Sequence, residues 1–202
     1  MRSLQLTAYV CALILISGCS AVGVVYSSNP YNKLANASSL LEHDRATAAE
    51  HLIVEALAIC EETAEPACFA AVYRGYGMFF ADPSLMGQWR PHFAEHGFIE
   101  ATASLSNRYE KAVEYLEKSR DLYNQLSRYD ALSNVYLQMG FIHEGTYNRD
   151  SACAAYDASL QAHIENRRQN PNARVILPKR YDSFEDYITV QKGKAQCEDQ
   201  GS

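Results

Sequence analysis

From residue 39 to residue 170, apolar side chains recur every three or four positions, and no stretch alternates with the period of two that a half-buried strand requires. That pattern limits the chain to packed amphipathic helices. Proline and small polar residues punctuate it. Ser39-Leu40-Leu41-Glu42 has the form of a capping box, in which a serine side chain bonds a backbone N–H and a glutamate three residues on reaches back. It predicts a helix over 39–62. Glu65-Pro66 interrupts, and a second helix is expected over 67–81, stopped by Asp82-Pro83. The segment 82–91 reads as a loop and holds Trp89, the lone tryptophan, either plugging the helix stack or touching a partner. Further helices are expected over 91–105, 106–125, 127–145 and 148–170, the last closed by Pro171. Ser183 then opens a short final helix to about residue 192. Short connectors imply antiparallel hairpins. The expected fold class is all-α, with a helical domain over 39–170 and a C-terminal extension over 171–202.

Small and large residues repeat inside this pattern. Tyr136, Met139 and Gly140 lie on one helix, and Ala152, Tyr156 and Ser159 on the next. Gly140 and Ala152 let two backbones approach, while Tyr136 and Tyr156 fill the space between turns. The arrangement resembles the tetratricopeptide repeat, departing from it at His143, where tyrosine is usual, and at Ile164, where proline is usual. A second copy can be placed in two frames. The preferred one takes Phe93, His96 and Gly97 with Ala112, Leu116 and Ser119, at the cost of three extra residues in the turn and a departure at Glu100. The competing frame takes Tyr73, Tyr76, Gly77 and Phe80 as the first helix and makes 82–105 an insertion. The resemblance implies a short solenoid of antiparallel hairpins with a concave groove for a protein or peptide partner. Tyrosines and arginines would be its usual anchors.

The other informative stretch is at the start. Leu4 to Ile16 is mainly apolar and follows Arg2, a run too short to cross a bilayer. It ends in Ile16-Ser17-Gly18-Cys19, which resembles the lipobox of bacterial lipoproteins; an ordinary signal peptide with a chance cysteine is the rival. The resemblance implies a signal peptide over 1–18, a diacylglycerol on Cys19, and a membrane anchor made of acyl chains. Ser20 stands where the family's inner-membrane retention signal would have Asp, which points to the outer membrane facing the periplasm. Residues 19–38 read as a tether lifting the domain off the lipid.

The chain carries a formal charge of −6, and no basic tract interrupts it, so it lacks the electrostatic footprint of a nucleic-acid binder. Beyond Cys11 and Cys19, four cysteines remain, an even number suited to an oxidising compartment. Pro66 turns the chain between Cys60 and Cys68, so that pair is expected to bond, and Cys153 would then tie to Cys197. A metal site and free thiols are the rival uses of these four. His92 and His96 stand four apart and could face one metal ion, which gives the alternative of a metal-binding or hydrolytic lipoprotein. No third ligand accompanies them, and packing or a solvated face accounts for both. No phosphate loop, dinucleotide fingerprint or nucleophile elbow is present. No cofactor and no catalytic residue is assigned, and the expectation is a non-catalytic adaptor.

Overall fold

The computed structural model describes residues 27–197. The signal segment 1–18 and Cys19 lie outside them. Within them the chain is all-helical, with α1 (Pro30–Glu42), α2 (Ala46–Thr63), α3 (Pro66–Ala81), α4 (Arg90–His96), α5 (Arg108–Gln125), α6 (Tyr129–Gly145), α7 (Arg149–Gln169) and α8 (Phe184–Lys194). A short 3-10 helix spans Pro83–Met86. The closest packing joins α1 to α2, α3 to α5, and α6 to α7, which makes three hairpins. The hairpins stack in order, α2 against α3 and α5 against α6, and α8 closes the stack on α7. This arrangement is compatible with a helical solenoid.

The first hairpin corrects the sequence expectation. Residues 30–38 belong to α1 rather than to a tether. Asn29 caps the helix, its Oδ1 accepting N–H bonds from Tyr31 at 2.8 Å and Asn32 at 3.2 Å, and Pro30 occupies the first turn, where its missing donor is harmless. Ala37 and Leu40 are buried. Ser39–Glu42, expected to open a helix, instead ends one. Asp44 takes a left-handed backbone at φ 54°, and the Arg45 N–H donates back to the Leu40 carbonyl at 2.8 Å. That local reversal splits the expected 39–62 helix in two.

The second correction concerns 82–107. The helix expected over 91–105 ends at His96, where Gly97 has φ 73° and a Cβ would meet nothing within 4 Å. Gly97 is a helix stop, not a close-packing residue. The partner of α5 is α3, so the competing frame is the observed one and 82–107 is an insertion. It covers an aromatic cluster. Phe93 stacks on Phe98 with ring centroids 4.4 Å apart, and Phe98 meets Phe79 and Phe80 edge-on at 5.9 and 5.4 Å. Phe93 is therefore core, but by a different route from the one expected.

With that frame the second and third hairpins match residue by residue. Gly77 lies against Leu116, where an added Cβ would stand 2.5 Å from Cγ; Gly140 lies against Tyr156, where it would stand 2.6 Å from Cδ1. Ala112 and Ala152 are both fully buried. Ser119 Oγ donates to the Ala70 carbonyl at 2.7 Å, and Ser159 Oγ to the Ser133 carbonyl at 2.8 Å. Each serine satisfies itself on the facing helix, so a polar residue fits a seam too tight for a larger apolar one.

Candidate functional site: a groove along α1, α3 and α6

The first helices of the three hairpins share one face, and with 174–178 and the start of α8 they enclose a groove of about 1040 Å³. Small residues shape its floor. Ala71 and Gly75 on α3 and Ala131 on α6 leave room above them, and Leu34 of α1 approaches Gly75 so closely that a Cβ there would stand 3.0 Å from its Cδ2. Met78 and Leu137 supply apolar wall. On the far side 174–178 runs without regular structure, and Ile176 is 97 % exposed.

Polar side chains share the lining with these apolar ones. Arg128 forms a two-pronged ion pair with Asp130, Nε to Oδ1 and Nη2 to Oδ2, both at 3.0 Å. That pairing holds the Asp130 carboxyl below its ordinary range. The Tyr31 hydroxyl donates to Glu65 at the rim, at 3.4 Å. His163 is buried and stacks on Phe184 with centroids 4.4 Å apart; desolvation lowers its pKa. Ser133 also faces the groove, but its hydroxyl donates to the Ser159 carbonyl at 2.9 Å. No hydrogen bond joins His163 to Ser133 among the described residues, so the pair has the residue types of a hydrolase but not the geometry.

Away from the groove, the insertion is held by two acids. Glu50, 3 % exposed, accepts the Ile99 N–H at 2.8 Å. Burial pushes its carboxyl up to about 7 despite N–H bonds from Ile99 and Glu100, which favour the charged form. Glu100 accepts the Tyr115 hydroxyl at 2.6 Å and the Thr102 hydroxyl at 2.6 Å. Those bonds draw its pKa down. Trp89 Nε1 donates to the Asp44 carbonyl at 2.7 Å, pinning the insertion to the turn between α1 and α2. Trp89 is partly buried against the core.

Cys60 bonds Cys68 and Cys153 bonds Cys197, with Cα separations of 5.5 and 5.7 Å. Tyr136 is half-buried against the core. Ala112, Leu116, Gly140, Ala152 and Tyr156 sit at the hairpin seams, Tyr156 with its hydroxyl donating to Glu144 at 2.5 Å. His92 and His96 stand 4.8 Å apart on an exposed face, with Glu95 3.8 Å from His96. Among the described residues no three His, Cys, Asp or Glu side chains gather in a way that could hold a metal ion, and no helix is long and apolar enough to cross a membrane. Sequence reasoning missed the groove residues Arg74, Arg174 and Leu34. Arg74 sits one residue after Tyr73 in the competing frame, which is the signal that could have found it.

The chain matches no family model, no curated protein and no solved structure.

Proposed function

We propose that the protein is a non-catalytic, lipid-anchored adaptor of the tetratricopeptide-like kind, holding a protein or peptide partner in the groove along α1, α3 and α6. One observation carries the reading. The helices that repeat the Gly77/Leu116 and Gly140/Tyr156 seams also present their free faces to a single concave surface. A groove of about 1040 Å³ whose lining mixes apolar side chains such as Met78 and Leu137 with polar ones suits a peptide segment. The lipobox-like Ile16-Ser17-Gly18-Cys19 supports anchoring at a bacterial envelope membrane through Cys19, with the domain facing the periplasm. The two bonded cysteine pairs suit an oxidising compartment.

A photo-crosslinking side chain at Asn134, exposed on α6 and lining the groove, tests the reading in cells making the full protein. A discrete adduct with a second protein is expected from Asn134, and none from Tyr109, exposed at the start of α5 and outside the groove lining. Equal labelling from both positions, or none from Asn134, defeats the adaptor reading.

A further inference from the structure

The chain is acidic, with 24 Asp and Glu against 18 Lys and Arg. Its groove has the opposite balance. Three arginines line it, Arg74, Arg128 and Arg174, against one carboxylate, Asp130. Arg128 is already engaged by Asp130. Arg74 and Arg174 are not: among the described residues no hydrogen bond or ion pair occupies either guanidinium. Arg74 is half-buried on the groove floor, beside Tyr123, on whose ionisation it acts electrostatically. Arg174 stands across the groove on the irregular segment that closes it, next to exposed Val175 and Ile176.

Arg74, half-buried in the concave site, has lost hydration that only an acceptor offsets, while Arg174 is exposed and would lose its own only when a ligand covers it. Acidic residues elsewhere on the surface supply acceptors to Arg120 and Arg168, and inside the groove Asp130 supplies one to Arg128. Among the described residues none is supplied to Arg74 or Arg174, the two that flank the open space. We infer that the groove takes an acidic segment of the partner, with carboxylates set on Arg74 and Arg174 and an intervening apolar side chain on Met78, Leu137 and Ile176. The five donors of each guanidinium fit a carboxylate edge-on, so the pair reads spacing as well as charge. Repulsion from the acidic remainder of the surface directs such a segment to the groove alone.

This inference rests on the adaptor reading, and the test separates the two. The full chain carrying the crosslinker at Asn134 is compared with the same chain bearing Arg74→Gln and Arg174→Gln, and the crosslinked partner peptide is sequenced by mass spectrometry. Neither arginine supports another side chain, so matching thermal melts are expected from both proteins. The expected result is a partner peptide with more Asp and Glu than Lys and Arg, and an adduct yield at least tenfold lower in the double variant. A second double variant, Arg74→Lys with Arg174→Lys, should recover part of the yield, since charge returns without the fork. A neutral or basic peptide, a second copy of this chain, or a yield unchanged by Arg74→Gln and Arg174→Gln overturns the acidic ligand and leaves the adaptor standing. Absence of any adduct from Asn134 overturns both.

Discussion

The Tyr156 ring lies directly over Gly140, so close that a methyl at position 140 would enter the ring, 2.6 Å from Cδ1 and nearer still to Cε1. Tyr156 is fully buried and its hydroxyl is committed to Glu144, so the ring has nowhere to move. Gly140→Ala should therefore destabilise the protein by about 1–3 kcal/mol, the usual penalty for overpacking a tight seam. Gly77→Ala should cost a similar amount against Leu116. Gly145→Ala, with open space around its Cβ, should be neutral or slightly stabilising. Urea unfolding of the three variants measures this. Equal midpoints for Gly140→Ala and Gly145→Ala would remove close packing as the reason for the glycine.

Tyr147 ends α6 in the left-handed region, at φ 59°, with a side chain 96 % exposed. A bulky L-residue is strained there, and the ring gains no burial in return. Glycine is the usual occupant of such a helix stop. Tyr147→Gly should raise stability by about 1 kcal/mol, read as a higher urea midpoint with unchanged slope. A loss of stability would mean that the Tyr147 ring serves the fold in a way its exposure does not show.

Most of the third hairpin is legible in the sequence because its signals are local. Tyr136, Gly140, Ala152 and Tyr156 lie within one continuous helix–turn–helix, with Asn148 marking the turn. The second hairpin is harder because its halves are separated by the 82–107 insertion. Phe93 and Gly97 imitate the pattern within that insertion, and only the packing of α3 on α5 shows that Tyr76 and Gly77 are the real counterparts. The first hairpin fails for another reason. Its helix start, Asn29-Pro30, is a sound cap, but α1 has few large apolar residues, and Ala37 and Leu40 suffice because Gly75 lets the helix lie close. The groove is a product of all three hairpins, so no single stretch announces it.

Glu50 gives the stability a pH dependence with a definite sign. Its carboxyl is held near 7 in the folded chain against 4.5 for the free group. The folded state thus keeps the proton more tightly. The contribution is complete below pH 4.5 and is lost as pH rises through about 7, a difference of about 3 kcal/mol at most. His143 and His163 act the other way, since burial lowers both. The comparison of parent with Glu50→Gln cancels the histidines. The stability difference between the two should move in favour of Glu50→Gln by roughly 2–3 kcal/mol between about pH 5 and pH 8. A pH-independent difference would show that Glu50 is already ionised in the fold.

Cys19 lies outside the described residues, and its acylation is testable without a structure. A Cys19→Ser chain should accumulate as uncut precursor or appear in the soluble fraction, because stable anchoring needs more than one acyl chain. Mass spectrometry of the wild-type amino terminus should find a lipid-modified cysteine at position 19. A correctly cut Cys19→Ser chain that still sediments with membranes would place the attachment elsewhere.

The two disulfides act on different parts of the fold, and their losses should differ. Cys60–Cys68 closes a loop of 8 residues between α2 and α3, both sulfurs inside the core. Cys153–Cys197 spans 44 residues and fastens the end of α8 to α7. In the chain-entropy account the longer loop restrains the unfolded state more, by about 4 kcal/mol against roughly 2.5 for the shorter. The double variant Cys153→Ser and Cys197→Ser should therefore lose more stability than Cys60→Ala and Cys68→Ala. The reverse order would mean that burial of the first pair outweighs loop length. A second readout locates the effect. Phe184 and Ile188 still pack against Leu137 and Tyr156, so α8 should remain docked at equilibrium but open more often. Limited proteolysis should then cut the 171–183 segment faster in the Cys153→Ser and Cys197→Ser chain, while cleavage between α2 and α3 stays at the parent rate. Because Arg174 and Ile176 belong to that segment, the same variant should also weaken capture of a partner from Asn134, which Cys60→Ala and Cys68→Ala should leave intact.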